Sequence, residues 1–136
     1  NAFTVEVVYK HDAKGGLASE QQTPIFWNGL LYGILPKDGG ALRNQFVCYR
    51  PDNTLAWSSG QENRFGLGPY ILADGKFYVL DDNGTLTMLR ASTERYDVLA
   101  QAKLLNGREA WGPMAVAGSR ILLRDEHEMI CIEAGK

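Results

Sequence analysis

The chain has 136 residues, with 14 Lys and Arg residues against 16 Asp and Glu residues, so its formal net charge is −2. This balance excludes a nucleic-acid binder that works by bulk positive charge. The apolar runs fall far short of the ~18–20 residues that a membrane span requires, and two cysteines are too few for a disulfide framework.

The first predicted element is a strand at residues 3–9. Its sequence, Phe-Thr-Val-Glu-Val-Val-Tyr, largely alternates apolar and polar side chains, as a half-buried strand does. It precedes the part of the chain that repeats. We therefore expect an outermost strand of a sheet at 3–9, and a connection to the next element that extends to residue 22.

Three stretches of the chain then repeat a pattern of about 44 residues. Each opens with a small residue and Pro, runs through apolar residues and ends at Gly, at residues 23–29, 68–75 and 112–118. The prolines are 45 and then 44 positions apart. Further apolar runs follow: a second at 30–35, 77–80 and 121–123, a third at 46–50, 86–90 and 129–133, and in the first two units a fourth at 54–57 and 96–104.

Turn signals separate these runs. Asn28-Gly29 and Asp74-Gly75 predict tight hairpins between the first and second strands, and Asp82-Asn83-Gly84 predicts a turn between the second and third. The first strand of each unit is almost wholly apolar, so we expect it to be covered on both faces. Residues 92–103 show some helical periodicity, but their place in the unit favours an outer strand at 96–104.

Four short strands in each period are typical of a β-propeller blade, whereas the competing architecture, a meander in a β-sandwich, requires no such recurrence. The sequence predicts an all-β fold, a β-propeller segment of about three four-stranded antiparallel blades. Its parts are the outer strand and connection at 3–22, blades at 23–60 and 68–105, and a partial blade at 112–136. Because closed rings have about 4–8 blades, this ring is incomplete, and we expect remaining blades or another chain to complete it.

Several of these residues resemble the PQQ-like repeat, which builds the quinoprotein dehydrogenase propellers and a non-catalytic outer-membrane assembly lipoprotein. They are residues 53–57, 75–86, 121–125 and 129–132. The resemblance covers residues 23–136 and implies the C-terminal blades of a larger propeller, in a bacterial protein that is periplasmic or secreted. It also implies that Trp57 docks between blades, a tryptophan that the second unit lacks.

Quinone-dependent members of that family carry an adjacent Cys-Cys pair and calcium ligands near the cofactor. This chain has no Cys-Cys pair, and we interpret Asp81-Asp82-Asn83 and Asp125-Glu126 as turn residues. Cys48, Met88 and Cys131 hold matching places on third strands, where we expect core filler. We predict no catalytic residue, metal ligand or cofactor here; PQQ and calcium would be held only if the rest of a ring supplied the site.

The connections between blades, at 18–23, 61–68 and 106–112, are the predicted functional loops, because loops on a rigid scaffold often carry function. We predict a ligand-binding site on one rim of the channel, formed by Arg64, Arg108, Glu109 and Trp111. The arginines suit an anionic group, and the indole suits a sugar or peptide. The competing interpretation is that Trp111 packs between blades while the charged residues face solvent.

These features favour a non-catalytic binding or scaffold module with a small-molecule, sugar or peptide ligand on the rim. One alternative is the C-terminal part of a quinoprotein-type oxidoreductase, whose cofactor and catalytic base would lie elsewhere in the ring. Another is part of a carbohydrate-active propeller, in which Glu62 and Glu109 would be the paired carboxylates. A Cys-Cys pair and calcium ligands in the remaining blades would favour the oxidoreductase.

Overall fold

The computed structural model describes residues 3–134 and shows an all-β chain of three antiparallel sheets. The first sheet contains β1 (Ile25–Trp27), β2 (Leu30–Ile34), β3 (Phe46–Tyr49) and β4 (Leu55–Ser58). The second contains β5 (Tyr70–Ala73), β6 (Lys76–Leu80), β7 (Thr85–Arg90) and β8 (Val98–Lys103). The third contains β9 (Ala115–Ala117), β10 (Arg120–Arg124) and β11 (Met129–Glu133). Strands pair in chain order, so each sheet is a meander.

Two of the tight turns follow directly from their sequences. Asn28 and Gly29, and likewise Asp74 and Gly75, all have positive φ angles between 47° and 81°. Two consecutive residues in this region form the turn that matches the twist of a hairpin, and Asn-Gly and Asp-Gly adopt it most readily. The predicted hairpins β1–β2 and β5–β6 are therefore confirmed.

The registers confirm that the three units are equivalent. Tyr32 on β2 pairs with Cys48 on β3, Tyr78 on β6 pairs with Met88 on β7, and Leu122 on β10 pairs with Cys131 on β11. The pairing with the outer strand also has the same register in the first two units, because Cys48 pairs with Trp57 and Met88 pairs with Ala100. A β-bulge follows Cys48 and Met88 in their strands.

The sheets pack face to face through two separate apolar clusters. The cluster between the first and second sheets is aromatic: Tyr32 lies 4.7 Å from Phe77 and 5.9 Å from Trp57 between ring centroids. The cluster between the second and third sheets contains mainly aliphatic side chains, among them Leu80 and Ile121. Within residues 3–134 no cluster joins the first sheet to the third, so the sheets form an open row of propeller-like blades.

Trp57 lies between the first two sheets, where the resemblance implied that it would dock. Its indole is 9% exposed, and its N–H donates to the Ser92 carbonyl of the second sheet at 3.2 Å. The Tyr32 hydroxyl donates to the same carbonyl at 3.3 Å. The loop between β7 and β8 therefore fixes the first sheet against the second.

The prediction of a strand at residues 3–9 is wrong for the single chain. Residues 3–10 are exposed, and in the described part of the chain they form no backbone hydrogen bond to any strand. A strand is stable only beside a neighbour that shares its hydrogen bonds. The apolar alternation of this segment is real, but the row of sheets offers it no partner.

The prediction that first strands are covered on both faces is also wrong at both ends of the row. Phe26 on β1 is 65% exposed because it lies on the face of the first sheet that points away from the second. Val116 on β9 is 42% exposed because it borders a cleft between the second and third sheets. The middle strand β5 is half-buried or buried throughout.

Residues 92–103 contain strand β8 and no helix, as the unit pattern predicted. Among residues 3–134 there is no helix long and apolar enough to cross a membrane.

Candidate functional site

Two kinds of loop meet at one end of the sheets, which we call the rim. The turns that join second to third strands lie there, as do the connections that lead from one sheet into the next, at 59–69 and 104–114. This follows from the meander, because alternate strands run in opposite directions and every second turn falls on the same end. The predicted site residues all belong to these connections.

Asp82 holds two connections together. Its Oδ1 accepts the Leu67 N–H at 2.6 Å and the Trp111 indole N–H at 2.9 Å. Gly66 has a φ of +64°, and a Cβ built there would lie 1.7 Å from Asp82 Oδ2. Glycine is therefore required at position 66, both for its backbone conformation and for the close approach of the carboxylate.

Asp125 is the corresponding anchor on the third sheet, and it is buried. Its Oδ1 accepts the backbone N–H groups of His127 at 2.7 Å and Glu128 at 2.8 Å, while Oδ2 accepts the Gly107 N–H at 2.7 Å. These N–H groups, His127 first, lower the pKa of the Asp125 carboxyl because they stabilise its charged form. His127 thus lies in the turn between β10 and β11.

Arg108 and Glu109 lie between these two anchors. Gly107 is held by Asp125, and Ala110 and Trp111 are held by the carbonyl and carboxylate of Asp82. Both side chains are exposed and form no hydrogen bond or ion pair with residues 3–134. The structure therefore brings Arg108, Glu109 and Trp111 together on one short connection with fixed ends.

Arg64 has a different position from the other three predicted residues. Its Nε donates to the Gln61 carbonyl at 3.0 Å, and its terminal nitrogens contact the Arg43 carbonyl and the Gln61 side chain. The backbone of Arg64 also bridges to Gln45. The guanidinium thus fastens its connection to the loop before β3, which leaves it fewer free donors than Arg108.

The role of Asp82 and Asp125 in fixing the rim was not predicted from the sequence. Both read as turn residues, which they are, but their other hydrogen-bond partners lie 15 to 29 residues away in sequence. The available signal was the Gly in each preceding connection, Gly66 and Gly107, against which each carboxylate packs.

The rim is a shallow surface. A recess of about 10 Å³ between Gln22 and Gly68 has room for a single water, and an open hollow of about 220 Å³ lies along residues 124–129. A larger cleft of about 600 Å³ opens at the opposite end, between the second and third sheets, beside the Asp74–Lys76 ion pair of 2.9 Å. Among residues 3–134 no group of three or more His, Cys, Asp or Glu side chains is placed to hold a metal ion.

Comparison with known proteins supports the fold and gives no family. No family model matches the chain, and no curated protein does. Among solved structures, 46 chains match. One is the crystal structure of the computationally designed Ika4 protein, with a TM-score of 0.58 and 6% identity.

The match to Ika4 covers 82% of this chain and 64% of that chain, so this chain spans less than two thirds of its length. At this identity the likeness shows a shared fold alone.

Proposed function

We propose that this chain is a non-catalytic binding or scaffold module of a β-propeller, with its ligand contacts on the rim at Arg108, Glu109 and Trp111. The observation that carries the proposal is the pair of exposed charges on a connection that Asp125 and Asp82 fix at both ends. Within residues 3–134 these two side chains form no ion pair. Ordering flexible groups is a main cost of binding. On this connection the backbone is already ordered before a ligand arrives.

The shape of the rim favours an extended peptide over an enclosed small molecule. Pockets for small molecules typically have ~300–1,000 Å³, and the rim recesses have about 10 and 220 Å³. Arg108 supplies a charged donor for a carboxylate, and Trp111 presents a half-buried ring whose N–H is already bonded to Asp82. We therefore expect an acidic peptide segment that lies across the connection.

The location and the repeat family belong to the same proposal. The resemblance to the PQQ-like repeat supports a bacterial protein that is periplasmic or secreted. The position of Trp57 between two sheets is compatible with that repeat.

The test uses a displayed library of acidic peptides, selected on the wild-type chain and then titrated against variants by fluorescence anisotropy. Arg108→Ala should weaken the selected peptides by about tenfold to hundredfold, because a hydrogen bond to a charged group contributes about 1.5–3 kcal/mol. The matched control is Arg95→Ala, another exposed arginine, on the loop between β7 and β8 at the end opposite the rim. It should leave affinity unchanged.

Arg64→Ala separates binding from loop support. We expect it to lower the melting temperature, because three contacts to Gln61 and Arg43 disappear, with little effect on peptide affinity in the folded protein. Equal affinity of wild type and Arg108→Ala for every selected peptide would refute the rim site.

A further inference from the structure

The third sheet has a free edge. The first and second sheets contain four strands each, whereas the third contains three, in the order β11-β10-β9. Within residues 3–134, β11 bonds to β10 on one side and has no strand on the other. An unpaired strand edge presents a row of N–H and C=O groups that can accept another strand.

The internal repeat shows what this edge lacks. Cys48 on β3, Met88 on β7 and Cys131 on β11 are equivalent by register. β3 and β7 each pair with a fourth strand, β4 and β8. Cys48 is fully buried beneath the second sheet and Met88 is half-buried, whereas Cys131 is exposed. The equivalent place beside β11 should therefore hold a strand, and the face that bears Cys131 should be covered by another sheet.

A cleft marks the place of the missing strand. It has about 280 Å³ and lies between the outer strands of the second sheet and the edge of β11. Its walls are mostly apolar. Met88, Ala100 and Ala102 line the side formed by the second sheet, and Ile132 lines the side formed by β11. Strand β8 is exposed along its whole length. The cleft thus separates two surfaces that resemble the inside of a packed pair of sheets.

The chain also contains an unpaired segment whose sequence has the pattern of a strand. Phe3, Val5 and Val7 share one face of the segment 3–9, and they are 93%, 71% and 72% exposed. The segment makes no backbone hydrogen bond to the described strands. Its apolar alternation is the pattern of a strand with a partner. Residues 3–134 therefore contain both a strand-like segment that pairs with no sheet and a sheet edge, at β11, that has no partner strand.

The two cannot meet within this row of sheets. The segment starts from the outer face of the first sheet, the face opposite the second sheet. On that outer face Leu17 packs against the cluster of Leu35 and Val47, and the Asn53 side chain donates to the Gly15 carbonyl at 2.7 Å. The free edge of β11 lies beyond the second sheet, at the other end of the row. A second copy of this chain can bring the segment and the edge together.

We propose that residues 3–9 of a second copy pair with β11, and that two copies exchange these segments to close a ring of six blades. Two copies with three sheets each supply six blades, within the range of about 4–8 found in closed rings. Each β11 gains its fourth strand, and each face that bears Cys131 meets the outward face of the other copy's first sheet, where Phe26 is exposed. The interface is symmetric, as dimers of identical chains usually are. This proposal is independent of the rim site.

The test compares two double variants of the full chain. Val5→Pro with Val7→Pro removes two backbone donors from the segment, and it should leave the isolated chain folded because the segment is exposed. Val5→Ile with Val7→Ile keeps the donors and the β-branched shape. Sedimentation equilibrium should give wild type and the Ile variant twice the 15.1 kDa chain mass, and the Pro variant 15.1 kDa.

Alkylation of Cys131 provides the second readout, with buried Cys48 as the internal control in the same molecule. Cys131 should react more slowly in the dimer than in the Pro variant. The proposal is overturned by a monomeric wild type, or by a Pro variant that remains dimeric. A dimer in which Cys131 reacts as fast as in the Pro variant would refute ring closure.

Discussion

Single carboxylates organise the loops of this molecule. Asp125 and Asp82 each accept N–H groups from a connection that lies far away in sequence. Asp125 closes its own turn and also fixes the connection that leads into the third sheet. Asp82 lies in the turn between β6 and β7 and fixes the connections on either side of the second sheet. For Asp125 these hydrogen bonds stabilise the charged form of the carboxyl.

At this scale we predict an acid dependence of stability through Asp125. Its pKa is lowered in the folded state, below the value of about 3.9 for an unfolded chain. The contribution to stability is therefore complete above that unfolded value and is lost as pH falls through the folded pKa. Urea midpoints measured from about pH 6 to pH 2 should show that the advantage of wild type over Asp125→Asn shrinks in acid.

Asp38→Asn, which changes an exposed carboxylate, is the control and should follow wild type across the range. If Asp125→Asn and Asp38→Asn show the same pH profile, the Asp125 hydrogen bonds do not stabilise the fold.

At the scale of elements, the outer strand β4 stabilises the contact between sheets through Trp57. Its ring lies 5.9 Å from Tyr32 and 6.3 Å from Tyr96 between centroids, and its N–H reaches the second sheet. We expect Trp57→Ala to lower the free energy of unfolding by about 3–5 kcal/mol, as for other buried aromatic residues. Chemical denaturation followed by circular dichroism measures this loss.

Leu55→Ala on the same strand is the comparison. Because Leu55 is 40% exposed, its replacement should lower the free energy of unfolding much less. A loss of stability as small for Trp57→Ala as for Leu55→Ala would mean that the tryptophan does not hold the sheets together.

Most strands were predictable because their information is local. Asn28-Gly29 and Asp74-Gly75 specify hairpins through their own backbone preferences, and the strand pattern of the third unit placed β10 and β11 correctly. The segment 3–9 failed because a strand depends on its neighbour, and alternation alone does not supply one. Arg64 differed from Arg108 for a similar reason, since its partners in the loop before β3 are set by the fold.

At the scale of the whole molecule, the two contacts between sheets differ in how densely they are packed. The first is filled by aromatic rings, whereas the second contains Ala73, Met88 and Val116 around a cleft of about 600 Å³. Regions with fewer buried apolar contacts open more readily than the rest of a fold. The third sheet should therefore be the least stable part of the monomer.

Hydrogen exchange can test this inequality in the Val5→Pro, Val7→Pro variant, where no second copy covers β11. Amides of β10 and β11 should exchange faster than those of β3 and β6, which lie on the aromatic contact. Equal protection of the two groups would show that the cleft does not weaken the third sheet. In the wild-type dimer, β11 should gain protection.

The unpaired segment 3–10 also has a consequence for the order of events when the protein is made. A ribosome synthesises this segment before any of the three sheets, yet in a ring of two chains it is the last to find its partner. Throughout that interval Phe3 and Val5 remain in water, and the delay shortens as more finished copies accumulate nearby. The yield of correctly assembled protein should therefore depend on how fast neighbouring copies are produced, with slow or sparse synthesis leaving chains open to aggregation.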